Sequence, residues 1–148
     1  MSDLRELYQE IILDHNRNPH NHHDMADATV AADGYNPLCG DKITVYLKLR
    51  DSMVEDVSFL GCGCAISQAS ASLMTDEIKG KTLEEAHQLF ERFHLMVTSE
   101  DAPSSKGLDK LTVLAGVRAF PARVKCATLA WHTLEAAIKK EDTTVSTE

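Results

Sequence analysis

Apolar residues at Leu4, Leu7, Tyr8, Ile11 and Ile12 recur at helical spacing, so the chain opens with an amphipathic helix that ends over Asn16 to Pro19. His20 to Asp24 reads as a polar loop and Ala28 to Ala32 as a short edge strand. Gly34 to Asp41 is dense in turn formers. Beyond it Ile43, Val45, Leu47 and Leu49 alternate with Thr44, Tyr46, Lys48 and Arg50, the period of a half-buried strand. Arg50 to Ser52 makes a turn into a second strand over Val54 to Leu60, with Val57 and Phe59 on one face. The two strands form a hairpin.

Gly61-Cys62-Gly63-Cys64 breaks the strand pattern, and Ala65 to Lys79, rich in Ala, Ser, Leu and Met, predicts a helix that starts near Cys64 and stops at Gly80. Thr82 with Glu84 and Glu85 starts another helix, whose stripe is Leu83, Ala86, Leu89, Phe90 and Phe93. Ser99 to Gly107 is a polar loop, and Leu108 to Val117 a short helix that stops before Pro121. Cys126, Leu129, Ala130, Thr133, Leu134, Ala137 and Ile138 give the final helix, with Cys126 in its first turn. Residues 1–140 are expected to form one domain, followed by a disordered polar tail over 141–148.

Lys plus Arg number 15 and Asp plus Glu 23 in 148 residues, a net charge of −8. Such a chain lacks the clustered cations of a phosphate-tracking surface, so no nucleic-acid partner is expected. The acidic start and the absence of a long apolar run predict a cytoplasmic protein with no membrane partner. In that compartment four cysteines are free thiols, and thiol or metal chemistry becomes the leading question.

Cys39 sits in a Gly/Pro turn before a strand, Cys64 at a strand-to-helix junction and Cys126 at a helix start. Helix N-termini favour thiolate, the form that binds metal or attacks sulfur. Asp41 lies two residues beyond Cys39, on the same side of an extended chain. Three thiolates and a carboxylate make a tetrahedral set. His20, His22 and His23 crowd one loop as a rival zinc-binding group, but solvated loop histidines explain them better. His132 is read as structural or surface, and Trp131 and Met74 as packing residues.

Asn36-Pro37-Leu38-Cys39-Gly40-Asp41, Gly63-Cys64-Ala65-Ile66-Ser67 and Arg123-Val124-Lys125-Cys126-Ala127-Thr128-Leu129-Ala130-Trp131 resemble the SufU branch of the IscU-like, NifU N-terminal, iron-sulfur assembly family. The resemblance runs from the first helix to the last. It implies an α/β fold of the α+β kind, a small antiparallel β-sheet packed by several α-helices, with a metal site of Cys39, Asp41, Cys64 and Cys126 at one end. Lys125 stands where scaffold-type members carry His, and Gly80 to Pro121 resembles the SufU insertion. Both features favour the zinc-dependent sulfurtransferase branch, in which Cys39 accepts persulfide sulfur from a pyridoxal-phosphate (PLP)-dependent cysteine desulfurase for downstream iron-sulfur assembly or recipient proteins. The alternative is a scaffold that carries a transient iron-sulfur cluster on the same ligands. Gly61-Cys62-Gly63-Cys64 fits the patterns of both branches; Cys64 is taken as the middle ligand, and Cys62 is kept as an alternative ligand or sulfur relay.

Overall fold

The hairpin around Arg50 to Ser52 forms the middle and one edge of a three-stranded sheet. The computed structural model describes residues 2–37, 40–98 and 109–142. Its elements are α1 (Ser2–Arg17), β1 (Val30–Asn36), β2 (Asp41–Arg50), β3 (Met53–Cys62), α2 (Ala65–Ile78), α3 (Leu83–Thr98), a 3-10 helix (Asp109–Ala119) and α4 (Pro121–Asp142). The strands lie in the order β1-β2-β3, antiparallel throughout. Arg50 pairs with Met53, and between them Asp51 and Ser52 take φ of 53° and 66°. Two left-handed residues give the turn whose twist matches the strands it joins.

β1 is longer than its sequence predicts, running to Asn36 through Gly34 and Tyr35. Those residues look like turn formers, but Gly34 serves close packing: a Cβ there would stand 2.0 Å from Thr133 Oγ1 on α4. β2 buries Ile43, Val45 and Leu47 on the face that the helices cover, and leaves Thr44, Tyr46 and Lys48 half-buried on the other.

Small side chains let α2 run through the middle of the protein, with every residue from Ser67 to Thr75 buried. Its polar groups are satisfied inside: Ser70 Oγ donates to the Ala127 carbonyl at 2.5 Å and accepts from Trp131 Nε1 at 3.2 Å. Gly80, at φ 86°, follows its end. Thr82 and Glu85 then form a reciprocal capping box at the start of α3, with both bonds at 3.0 Å. Phe93 of α3 stacks on Trp131 with centroids 4.7 Å apart, and both are fully buried, as is Met74.

The expected short helix over Leu108 to Val117 is a 3-10 helix, and Pro121 starts α4 instead of marking a break before it. Proline is favoured at the first helical position, where its missing N–H costs nothing. Cys126 therefore lies in the second turn of α4, not the first. Glu141 and Asp142, expected in the tail, continue α4; residues 143–148 and the predicted loop over Ser99 to Gly107 lie outside the described residues. No helix among the described residues is long and apolar enough to cross a membrane.

α3 and α4 meet over a histidine cluster. His87 Nδ1 lies 2.8 Å from Glu135 Oε1, which raises its pKa, with nearby Glu91 adding to the effect. His132 packs edge-on against Phe90 and faces His94; burial first, and the charge of His94 second, lower its pKa. A lowered imidazole pKa contributes stability above the unfolded value of 6.5 that is lost as pH falls through the folded value. The raised His87 acts oppositely, with its contribution lost as pH rises.

Two outcomes are expected. Gly34→Ala should destabilise the fold by about 1–3 kcal/mol in urea unfolding. Thr133→Ala in the same chain should recover part of that loss, and strict additivity of the two substitutions would refute the contact. His132→Gln should gain stability relative to wild type as pH falls from about 8 to about 5. A difference in melting temperature that stays constant over that range would show that His132 does not titrate differently in the folded state.

Candidate metal centre

The alternation that buries Ile43, Val45 and Leu47 carries Asp41 onto the same face at the end of the sheet, where it is 0% exposed. Asn36, its register partner on β1, is buried beside it. Gly63 closes over the carboxylate: a Cβ there would lie 2.3 Å from Asp41 Oδ1, so only glycine lets the chain pass. The next residue, Cys64, is the N-cap of α2, and its N–H donates to Asp41 Oδ1 at 2.9 Å. The carboxylate thus sits at the positive end of a helix.

Cys126 approaches from α4, fully buried, with its thiol 3.6 Å from the Ala122 carbonyl. Asn36 Nδ2 reaches its sulfur at 3.9 Å. The ligand atoms of Asp41, Cys64 and Cys126 all lie within 4.8 Å of one another. Asp41 Oδ2 is buried with no hydrogen-bond partner among the described residues. Burying such an atom unpaired costs about 1–3 kcal/mol, more if it is charged. A divalent cation bound by the carboxylate and the two sulfurs would remove that cost. Donors on tetrahedral zinc stand about 3.3–3.8 Å apart, from metal–ligand bonds of about 2.0–2.3 Å, so the trio needs only a small contraction.

Cys39, the expected acceptor and fourth ligand, lies with Leu38 outside the described residues; Pro37 and Gly40 flank it. Cys62 is exposed and points away from this group. Its register partner is Lys42, and strand parity sends both to the outer face, where Cys62 lines a groove with Tyr35, Lys42 and Thr44.

The loop histidines do not gather as a trio. His20 pairs with Asp76, His22 sets its ring edge-on against Phe59, and His23 bonds the Asp24 carbonyl. Sequence reasoning missed two supporting residues, Gly63 and Asn36. The Gly-Cys-Gly spacing hinted at the first; nothing local marked the second, which depends on strand pairing.

A family model described as the NifU-like N terminal domain matches residues 7–146. The chain belongs to that family. Over 140 residues this NifU-like chain is 44% identical to the iron-sulfur cluster assembly scaffold protein IscU of Streptococcus pyogenes serotype M1, covering 95% of this chain and 87% of that one. It is also 44% identical over 141 residues to the zinc-dependent sulfurtransferase SufU of Bacillus subtilis, covering 95% of each. The crystal structure of the NifU-like N-terminal protein of Brucella abortus superposes with a TM-score of 0.83 at 27% identity, covering 91% of this chain and 94% of that one.

Gly63→Ala should press on Asp41 and shift the start of α2. We expect it to weaken metal retention against a chelator at least about tenfold, a change of about 1.4 kcal/mol, with the fold intact by circular dichroism. Retention equal to wild type would mean that the close approach of Gly63 to Asp41 is not needed to hold metal.

Proposed function

We propose that this chain acts in iron-sulfur cluster assembly as a zinc-dependent sulfur acceptor, taking persulfide sulfur from a PLP-dependent cysteine desulfurase in the cytoplasm. The observation that carries the reading is the Asp41 carboxylate, grouped with two thiols and with its buried Oδ2 lacking a hydrogen-bond partner among the described residues. A single oxygen donor among thiolates suits zinc and is the donor most readily exchanged, whereas a purely structural site closes with sulfur and nitrogen alone. The proposed ligands are Cys39, Asp41, Cys64 and Cys126. Zinc held there would keep the thiols deprotonated and guard them from oxidation.

Cys39 is the acceptor in this reading. Its thiolate attacks the terminal sulfur of the partner's cysteine persulfide; a new S–S bond forms on Cys39, the partner's S–S bond breaks, and the partner's cysteine leaves as thiolate. The persulfide proton travels with the transferred sulfur, and no external oxidant or reductant is needed. Cys64 and Cys126 suit an anchoring role, one capping α2 and the other buried in α4. Asp41, held by the Cys64 N–H, supplies the replaceable ligand. The sulfur then passes to downstream assembly or recipient proteins.

A scaffold for a transient iron-sulfur cluster is the second reading, favoured by the name of the streptococcal relative. Anaerobic purification separates the two. Colourless protein with one chelator-resistant zinc supports sulfur acceptance; brown protein with sulfide-linked visible absorption and no zinc supports the scaffold.

Cys39→Ala should abolish stimulation of the desulfurase, and full stimulation by that variant would move the acceptor role elsewhere, Cys62 first. Asp41→Ala should leave the fold intact yet lose zinc to a chelator faster and transfer sulfur more slowly. Parity with wild type in both assays would remove Asp41 from the site.

A further inference from the structure

His15 lies in the last turn of α1, the chain passes Pro19, and the following loop lays His20 beside α2. The ligand atoms of His15, His20 and Asp76 lie within 4.8 Å of one another, and the two imidazole centroids are 4.4 Å apart. We propose that these three residues form a second divalent-metal site, for a borderline transition ion such as zinc, separate from the cysteine centre. Asp76 lies about 18 Å along α2 from Cys64, at about 1.5 Å per residue. The two sites share no donor.

Several contacts set these side chains in place. Ser72 Oγ lies 2.7 Å from His15 Nδ1 and accepts the His20 backbone N–H at 2.7 Å. Asn21 Nδ2 donates to Asp76 Oδ1 at 3.3 Å and to Thr75 Oγ1 at 3.0 Å. Hydroxyl and amide partners of this kind orient metal-binding imidazoles and carboxylates.

A plain ion pair explains His20 Nδ1 at 2.5 Å from Asp76 Oδ2. It does not explain a second imidazole, only 6% exposed, brought against the same carboxylate. Two imidazoles and a carboxylate are a donor set for zinc, cobalt or nickel. The side chains of His20 and Asp76 are 46% and 30% exposed, which leaves the outer coordination positions to water. Metal binding would replace the contact between His20 and Asp76 and fasten α1 and its loop to α2.

Cobalt(II) titration of the full chain under anaerobic conditions tests the proposal, because cobalt on thiolates gives an intense near-ultraviolet charge-transfer band and cobalt on imidazole and carboxylate does not. Wild type should bind two equivalents, one with the band and one without. His20→Ala and Asp76→Asn, both at exposed positions, should each bind one equivalent with the band unchanged. The site is disproved if wild type binds no band-free equivalent, or if both variants still bind it. Loss of the band, with the band-free equivalent kept by wild type and lost in the variants, would sink the cysteine centre and leave this site standing.

Discussion

A carboxylate buried at the end of a sheet is the constraint around which this end of the protein is arranged. Asp41 faces inward because strand alternation gives it the same side as Ile43, Val45 and Leu47. A charged group removed from water costs several kcal/mol unless partners surround it. One oxygen is met by the Cys64 N–H at the head of α2. That arrangement is possible only because Gly63 has no side chain to occupy the space of the carboxylate. The other oxygen is buried with no hydrogen-bond partner among the described residues, and the demand it leaves, in a carboxylate grouped with two thiols, is what makes the site read as a metal centre.

The same helix governs the second sulfur. α2 is buried from Ser67 to Thr75, so its position is set by packing on both sides, and Ser70 fixes it to the Ala127 carbonyl next to Cys126. The indole N–H of Trp131 returns to the same hydroxyl, and Phe93 stacks on the indole ring. Cys64 and Cys126 are therefore spaced by the hydrophobic core and not by a local loop. A large residue introduced at the Ala and Ser positions of α2 would change the distance between donors as well as the stability.

What the sequence made legible follows from local physics. The hairpin, the cap at Thr82 and Glu85, the stop at Gly80 and the periodicity of the long helices depend on neighbours a few residues away. β1 and the start of α4 were misread because both turn on tertiary packing or position. Gly34 is a glycine for the sake of Thr133, on the far side of the chain, and Pro121 opens a helix where proline is read as ending one. Asp41 and Cys64 could be grouped because each stands at an element boundary, whereas Cys126 is reached from the second turn of α4. The face of Cys62 could not be decided without the register that pairs it with Lys42. Likewise His20 was set among its loop neighbours, whereas the residues that hold it, Ser72 and Asp76, are more than fifty positions away.

Charge gives the centre its chemical bias. In the proposed set, with Cys39 as the fourth donor, three thiolates and a carboxylate would carry −4, and a divalent ion would leave −2. Such an excess of negative charge in a low-dielectric site would raise the electron density on sulfur and favour the attack on a neutral persulfide proposed above. It would also repel the ligand set were nothing positive nearby. The N-terminus of α2 meets Asp41 directly, through the Cys64 N–H. A neutral histidine at position 125 would add a nitrogen donor and remove a cation. Lysine there, exposed on α4, adds no imidazole and would leave the proposed set of Cys39, Asp41, Cys64 and Cys126 as sulfur and oxygen donors alone, the set in which one carboxylate is the ligand most readily exchanged.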